Sequence, residues 1–186
     1  MTYSLDITDE KLVEKIAEGD EIAFQILIKR HESMALNIAY RFIGNTHDAQ
    51  DIAQEAFLRL FKNAQYYTPT AKVKTWFFRI IANLCIDFLR KKKPLYYSEL
   101  FDVPSEAAAP DIEAENAERQ RIVQGAIQAL PPNQRLALIF HHYEGFKYKE
   151  IAEMMGCSVK AVESLLVRAN QNLRERLSKY IKSSLL

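Results

Sequence analysis

The sequence runs to 186 residues, 48% of them hydrophobic and 26% charged, an ordinary globular balance that excludes wholesale disorder. Only 5 glycines are present, which argues against glycine-rich β architectures and against nucleotide folds built on glycine-rich loops. With 25 basic and 24 acidic groups the formal charge is +1, a value that on its face excludes a strongly basic nucleic-acid coat.

Strand-like alternation is absent, and apolar residues recur at helical spacing, so the chain is expected to be all-α. Leu12, Val13 and Ile16 form the stripe of a first helix, and Gly19 suits its left-handed stop. A second helix, about 20–43, carries Ala23, Phe24, Leu27, Met34, Ile38 and Phe42, with Gly44 to end it. A third, about 46–63, places Ala49, Ile52, Ala53, Ala56, Phe57 and Leu60 on one face. After a loop with Tyr66, Tyr67 and Pro69, a fourth helix is predicted over about 72–92, with Val73, Phe77, Ile80, Leu84 and Phe88 inward. The second half predicts helices over about 112–129, 133–143, 148–155 and 159–181, the first stopping at Pro131 and Pro132.

Charge is distributed in blocks. Residues 1–58 carry 5 basic and 11 acidic groups, net −6; residues 59–93 carry 9 and 1, net +8. Residues 94–118 carry 0 and 7, net −7, and residues 119–186 carry 11 and 5, net +6. Such blocks point to separate surfaces with separate partners. The third block also holds three of the six prolines and an alanine run, and reads as an acidic, flexible linker. The expected organisation is two small helical domains, 1–93 and 119–186, joined by the linker 94–118.

Two cysteines, Cys85 and Cys157, do not make a disulfide framework and read as free thiols of a reducing compartment. The N-terminus, MTYSLDITDE, lacks a basic n-region and an apolar h-region, and no stretch is apolar enough for membrane insertion, so a soluble cytoplasmic protein is expected. The four histidines, His31, His47, His141 and His142, show no metal-ligand spacing, and no catalytic residue, metal or cofactor is expected. His141 and His142 are helix neighbours that would not face one site.

The most specific local signal is YKEIAEMMGCSVKAVESLLVRANQNLRERL. Ile151, Ala152 and Met155 put an apolar stripe on a short helix, and Gly156 fits the turn after it. Ser158 can cap the next helix, with Val159, Val162 and Leu166 packing back. That is the grammar of a helix-turn-helix. Lys160, Ala161, Glu163, Ser164, Val167 and Arg168 are left outward, where Lys160 and Arg168 can reach phosphates or guanine edges and Glu163 can accept from cytosine. The bland alternative is a helical hairpin with a solvated face.

The second signal is AKVKTWFFRIIANLCIDFLRKKK. Arg79, Asn83, Asp87 and Arg90 share one helical face, and Lys91, Lys92 and Lys93 extend its positive end. Lysines and arginines here can neutralise phosphates, while aromatics and amides can stack on or bond an exposed base. Trp76, Phe77 and Phe78 serve equally well as core residues.

Taken together, these stretches, with GDEIAFQILIKRH and DAQDIAQEAFLRLFKN, resemble bacterial sigma factors of the extracytoplasmic-function class, minimal members of the sigma-70 family, over roughly 9–180. The resemblance implies a non-enzymatic specificity subunit that binds core RNA polymerase and directs promoter-specific initiation. It implies that the third helix is region 2.2, docking on the β′ clamp helices through Asp48, Asp51, Gln54, Glu55 and Leu58. It implies that the loop and fourth helix open and read the −10 element through Asn63, Gln65, Tyr66, Tyr67, Lys72, Lys74, Arg79, Asn83, Asp87 and Arg90. The C-terminal domain would be region 4, meeting the β flap and reading the −35 element through Ser158, Lys160, Glu163, Ser164, Val167 and Arg168. Many members of the class carry a basic residue at the position of Glu163, and that departure leaves Glu163 a second role, orienting Lys160 or Arg168. The acidic linker would run through the basic interior of polymerase, and an anti-sigma factor is the expected regulator. A dimeric helix-turn-helix regulator with an N-terminal sensor is the alternative, disfavoured because a sensor needs neither the D-A-Q-D-I-A-Q-E helix nor a second basic helix.

Overall fold

A computed structural model describes residues 7–69, 71–99 and 112–183. Among them are eight α-helices and no strand: α1 (Asp9–Ala17), α2 (Glu21–Ile43), α3 (Thr46–Asn63), α4 (Val73–Glu99), α5 (Ile112–Gln128), α6 (Pro132–Leu138), α7 (Tyr148–Met155) and α8 (Val159–Ser183). A 3₁₀ turn, Ala64–Tyr66, follows α3, and a π-helical turn, Ile139–Tyr143, extends α6.

The helix starts follow from side chains that satisfy the orphan N–H groups of a first turn. The amide of Ala23 donates to Asp20 Oδ1 at 3.0 Å, that of Asp48 to Asn45 Oδ1 at 3.0 Å, and that of Ala161 to Ser158 Oγ at 3.1 Å. At the stops, Gly44 (φ 84°) ends α2 and Gly156 (φ 64°) ends α7, both in the left-handed region that a Cβ disfavours.

Helices α1 to α4 wrap one core. Leu12, Leu27, Ile38, Phe42, Leu60, Phe77, Phe78 and Ile81 are all but sealed from solvent. One polar cluster pins the first helix to the second. Asp9 accepts from Arg30 Nη1 at 2.9 Å and faces His31 Nε2 at 2.6 Å, while Arg30 also donates to the Ile7 carbonyl at 2.6 Å.

Helices α5 to α8 form the second unit, in which Ile127, Leu130, Leu138 and Ala169 make a small core under α8. Other apolar residues of this unit, among them Leu136, Phe140, Phe146, Ile151, Met154, Val162 and Leu166, join the core of the first. The two units therefore pack directly. Phe78 meets Phe146 edge-on at 5.7 Å between centroids, and Arg135 Nη1 donates to the Phe42 carbonyl at 2.6 Å. Burial at this seam pushes the Glu144 carboxyl up from its ordinary value, an effect opposed by the charges of Arg41 and Lys74.

Several sequence expectations change in detail. The fourth helix runs on to Glu99 instead of stopping near 92, so residues 94–99 of the acidic stretch continue α4 and residues 112–118 open α5; residues 100–111 lie outside the described residues. Helix α4 is buried on a wider arc than its stripe predicts, because Phe78, Ile81, Ala82 and Cys85 are covered as well. In the turn motif Met154, at 1% exposure, is more deeply buried than Met155, whereas Val159 stays 41% exposed and does not pack back. Of the two free thiols, Cys85 is buried and Cys157 only partly so. The π-helical turn brings the His141 and His142 rings to 4.9 Å, but His141 Nδ1 is engaged 3.1 Å from the Phe146 carbonyl.

Candidate nucleic-acid and polymerase interface

The face of α3 turned away from the core carries the residues singled out for docking. Ile52, Ala53, Ala56, Phe57 and Leu60 turn inward, which forces Asp51, Gln54, Glu55 and Leu58 outward along one side. Leu58 is 46% exposed, a large apolar side chain set among carboxylates and an amide. Asp51 lies 3.3 Å from His47 Nδ1, and Glu55 accepts from Arg59 Nε at 2.8 Å. That hydrogen bond holds the Glu55 carboxyl below its ordinary value. His47, Asp48 and Asp51 bring their side-chain donor atoms within 4.8 Å of one another at the start of α3, a grouping not anticipated from the sequence.

Where α3 ends and α4 begins, the chain forms a cleft of about 250 Å³ lined by Arg59, Asn63, Tyr66, Trp76, Ile80 and Asn83. The 3₁₀ turn projects Tyr66, 72% exposed, at its edge. Asn63 Nδ2 donates to the Arg59 carbonyl at 2.7 Å, which fixes the amide at the wall. Trp76 is held by Tyr67 at 5.2 Å between centroids, and the Tyr67 hydroxyl donates to the Ala71 carbonyl at 2.6 Å. Burial, with the nearby Glu10 charge, pushes the Tyr67 phenol up. An exposed aromatic, a wall aromatic, two amides and a guanidinium suit a planar base with hydrogen-bonding edges.

The structure thus brings Asn63, Tyr66 and Asn83 together in one cleft. Arg79 and Asn83 are exposed on the same face of α4, and Asp87 pairs with Arg90 at 3.0 Å farther along it. Gln65 and Lys72 are exposed outside the cleft, Tyr67 acts as support behind Trp76, and Lys74 turns to the second unit, its Nζ 4.6 Å from the Phe146 ring centre. Arg59 and Ile80 were missed as cleft residues, and for Trp76 the sequence left base stacking and core packing both open. Arg59 belongs to the preceding helix, and only tertiary packing brings it against α4.

In the second unit, α7, the Gly156 turn and α8 build the helix-turn-helix. Ile151, Ala152, Met154, Val162 and Leu166 are buried in it, leaving Lys160, Glu163, Ser164, Val167 and Arg168 exposed on the first turns of α8. Ser158 is committed to the cap, and Ser164 Oγ donates to the Lys160 carbonyl at 3.0 Å. Val167 is 67% exposed, a bare apolar contact beside Arg168.

Comparison with known proteins decides between a general helix-turn-helix regulator and the family suggested by the motifs. The Sigma-70 region 2 model matches residues 27–94, and the Sigma-70 region 4 model matches residues 120–173. The ECF RNA polymerase sigma factor SigW of Bacillus subtilis is 30% identical over 184 residues, covering 93% of this chain and 98% of that one. The chain belongs to the extracytoplasmic-function class of sigma-70 factors. The ECF sigma-E factor of Haemophilus influenzae is 28% identical over 182 residues, covering 92% of this chain and 96% of that one. Among solved structures, CnrH in complex with the cytosolic domain of CnrY matches with a TM-score of 0.71 at 26% identity, over 92% of this chain and 97% of that one. The Bartonella quintana sigma factor RpoE, solved with the anti-sigma factor NepR, shares the fold with a TM-score of 0.65 at 22% identity, over 83% of this chain and 96% of that one. Like the family, this sigma factor is no enzyme: it binds core RNA polymerase and promoter DNA and directs where transcription starts. Among the described residues no helix is long and apolar enough to cross a membrane.

Proposed function

We propose that this sigma factor divides its task among three surfaces. The outward face of α3 docks on the clamp helices of β′, with Leu58 as the apolar contact and Asp48, Asp51, Gln54 and Glu55 meeting basic side chains around it. The cleft between α3 and α4 captures an unstacked base of the −10 element, while Arg79, Asn83, Asp87, Arg90 and the lysines that follow track the melted strand. The first turns of α8 read the −35 element, and the unit around them meets the β flap. The acidic linker threads the basic interior of polymerase, and the work is done in the cytoplasm, where polymerase operates.

The observation that carries this reading is the cleft: Tyr66 and Trp76 offer stacking surfaces, while Asn63, Asn83 and Arg59 offer hydrogen bonds within the same 250 Å³. Flipping a base costs a few kcal/mol, and stacking on an aromatic returns about 1–3 kcal/mol. Tyr66→Ala is the clean test because the ring is 72% exposed and supports little else. In holoenzyme, this variant is expected to weaken binding to a single-stranded −10 fragment by about 1–3 kcal/mol with an unchanged thermal midpoint. Unaltered binding refutes the capture role.

Control by an anti-sigma factor follows from the resemblance, and CnrH, the similar structure at 26% identity, was solved bound to the cytosolic domain of CnrY. Pull-down from cells on the tagged full chain, followed by release of transcription in vitro, tests it.

A further inference from the structure

Arg59 stands between two of the proposed surfaces. It lies on α3 one turn after Glu55, and its Nε–H donates to Glu55 Oε1 at 2.8 Å. The same side chain forms part of the wall of the cleft between α3 and α4. It is 45% exposed, so a group entering the cleft meets the guanidinium without displacing core atoms.

The tie to Glu55 decides what the guanidinium presents. An arginine side chain offers only N–H donors, in a planar fork of fixed shape. With Nε committed to the carboxylate, the two Nη groups are left as an end-on pair of parallel donors. The neighbouring amide is fixed in the opposite sense. Asn63 Nδ2 donates to the Arg59 carbonyl at 2.7 Å, which leaves Oδ1 as the acceptor that Asn63 brings to the cleft. Asn83 adds a second amide from α4, and Tyr66 and Trp76 add ring faces.

A pair of donors beside an acceptor is complementary to a base edge that runs acceptor, acceptor, donor. Cytosine presents that run as O2, N3 and N4–H, and guanine as N7, O6 and N1–H. Thymine runs O2, N3–H, O4 and adenine N7, N6–H, N1, with a donor between two acceptors. Against either of these, one arm of the fork faces another donor. That contact forfeits a hydrogen bond and sets like partial charges together, which is how a buried polar site rejects the wrong ligand.

We infer that Arg59 is a specificity-determining residue of the cleft: its end-on fork, with Nε held by Glu55, selects cytosine or guanine over thymine and adenine as the captured base. The inference rests on the capture reading given above. It adds which bases the cleft takes and which side chain makes the choice.

The test uses holoenzyme reconstituted with the full-length chain. A sequence is first selected from a randomised pool of short single-stranded DNA, then remade with an abasic nucleotide at each position in turn. The captured position is the one where loss of the base weakens wild type but costs Tyr66→Ala little. At that position wild type is expected to prefer cytosine or guanine over thymine and adenine by about 5- to 150-fold, the range of a good bidentate pair. Arg59→Ala and Arg59→Lys are both expected to bind all four bases alike there, and to keep the wild-type preferences at every other position. Lysine keeps the charge but not the fork, so its failure separates base reading from attraction to phosphate. Whether cytosine or guanine wins tells which of the two edges meets the fork. A preference for thymine or adenine, or none at all, overturns the inference, as does a cytosine or guanine preference that survives in either variant. A scan in which base loss and Tyr66→Ala overlap at no position refutes the capture reading itself, and the inference falls with it.

Discussion

Asp9 shows how much one carboxylate can contribute to a small helical domain. His31, packed near Phe77 and Phe78 in the core, faces it at 2.6 Å, and Arg30 donates to its other oxygen. The hydrogen bond from His31 holds the Asp9 carboxyl below its ordinary value, with Arg30 adding to the effect and burial opposing it. A folded chain that binds this proton less readily than the unfolded one gains stability above the unfolded value of about 3.9, and loses it as pH falls through the lowered folded value. Asp9→Asn is expected to cost about 1.5–3 kcal/mol near neutral pH, the range for hydrogen bonds to charged groups. In urea unfolding series, the gap between wild type and variant is expected to shrink as pH drops below about 4. A gap that stays constant into strong acid would rule out the carboxylate as its source. The thiols behave in the opposite direction. Burial raises Cys85 and Cys157 alike, so neither is primed as a nucleophile at neutral pH.

At the scale of elements, α3 and α8 are the places where sequence and function coincide. On α3 the inward stripe alone dictates which residues face out, whereas the docking role proposed for that face comes from the resemblance to the family. Leu58→Asp places a charge in the proposed apolar contact of a surface position, so stability should shift by no more than about 0.5 kcal/mol while co-elution with core polymerase is lost. Retained co-elution would remove α3 from the docking surface. On α8 the cap and buried stripe likewise leave Arg168 outward. Arg168→Ala is expected to weaken −35 binding by about 1–3 kcal/mol if the guanidinium reads a guanine, and less if it touches phosphate. A wild-type footprint would end the assignment. Helix α4 was less legible. Periodicity marks a helix with one buried face, but the second unit also packs on α4, with Phe146 meeting Phe78, and Phe78, Ile81 and Cys85 are buried too. Nothing local in residues 73–91 announces a partner some 70 residues farther on. The same holds for the cleft, whose tyrosines and asparagines stand out by composition, while Arg59 and Trp76 acquire their place from how α3 crosses α4. The cap at Ser158 and the glycine stops were readable because each is a purely local solution to unsatisfied backbone groups.

For the whole molecule, the net charge of +1 is a cancellation among blocks of −6, +8, −7 and +6 that fall on different surfaces. Both positive blocks contain proposed DNA-reading helices, and the first negative block contains the proposed docking face of α3. Affinity for duplex DNA depends on how many phosphates a protein neutralises at once, and it falls steeply with salt as counterions return. A free chain that presents acidic residues of α3 beside its basic α4 engages few phosphates at one time, and its mean field repels as much as it attracts. Free sigma factor is therefore expected to bind non-specific duplex no more tightly than about 1 µM at physiological salt, with a shallow dependence on salt concentration. If the proposed docking face of α3 is covered by polymerase, the basic surfaces are left to act alone, and holoenzyme should show the steeper slope. Fluorescence anisotropy over a salt series measures both. A free chain that binds non-specific duplex in the nanomolar range, or that matches the slope of holoenzyme, would show that the acidic face does not restrain the basic ones.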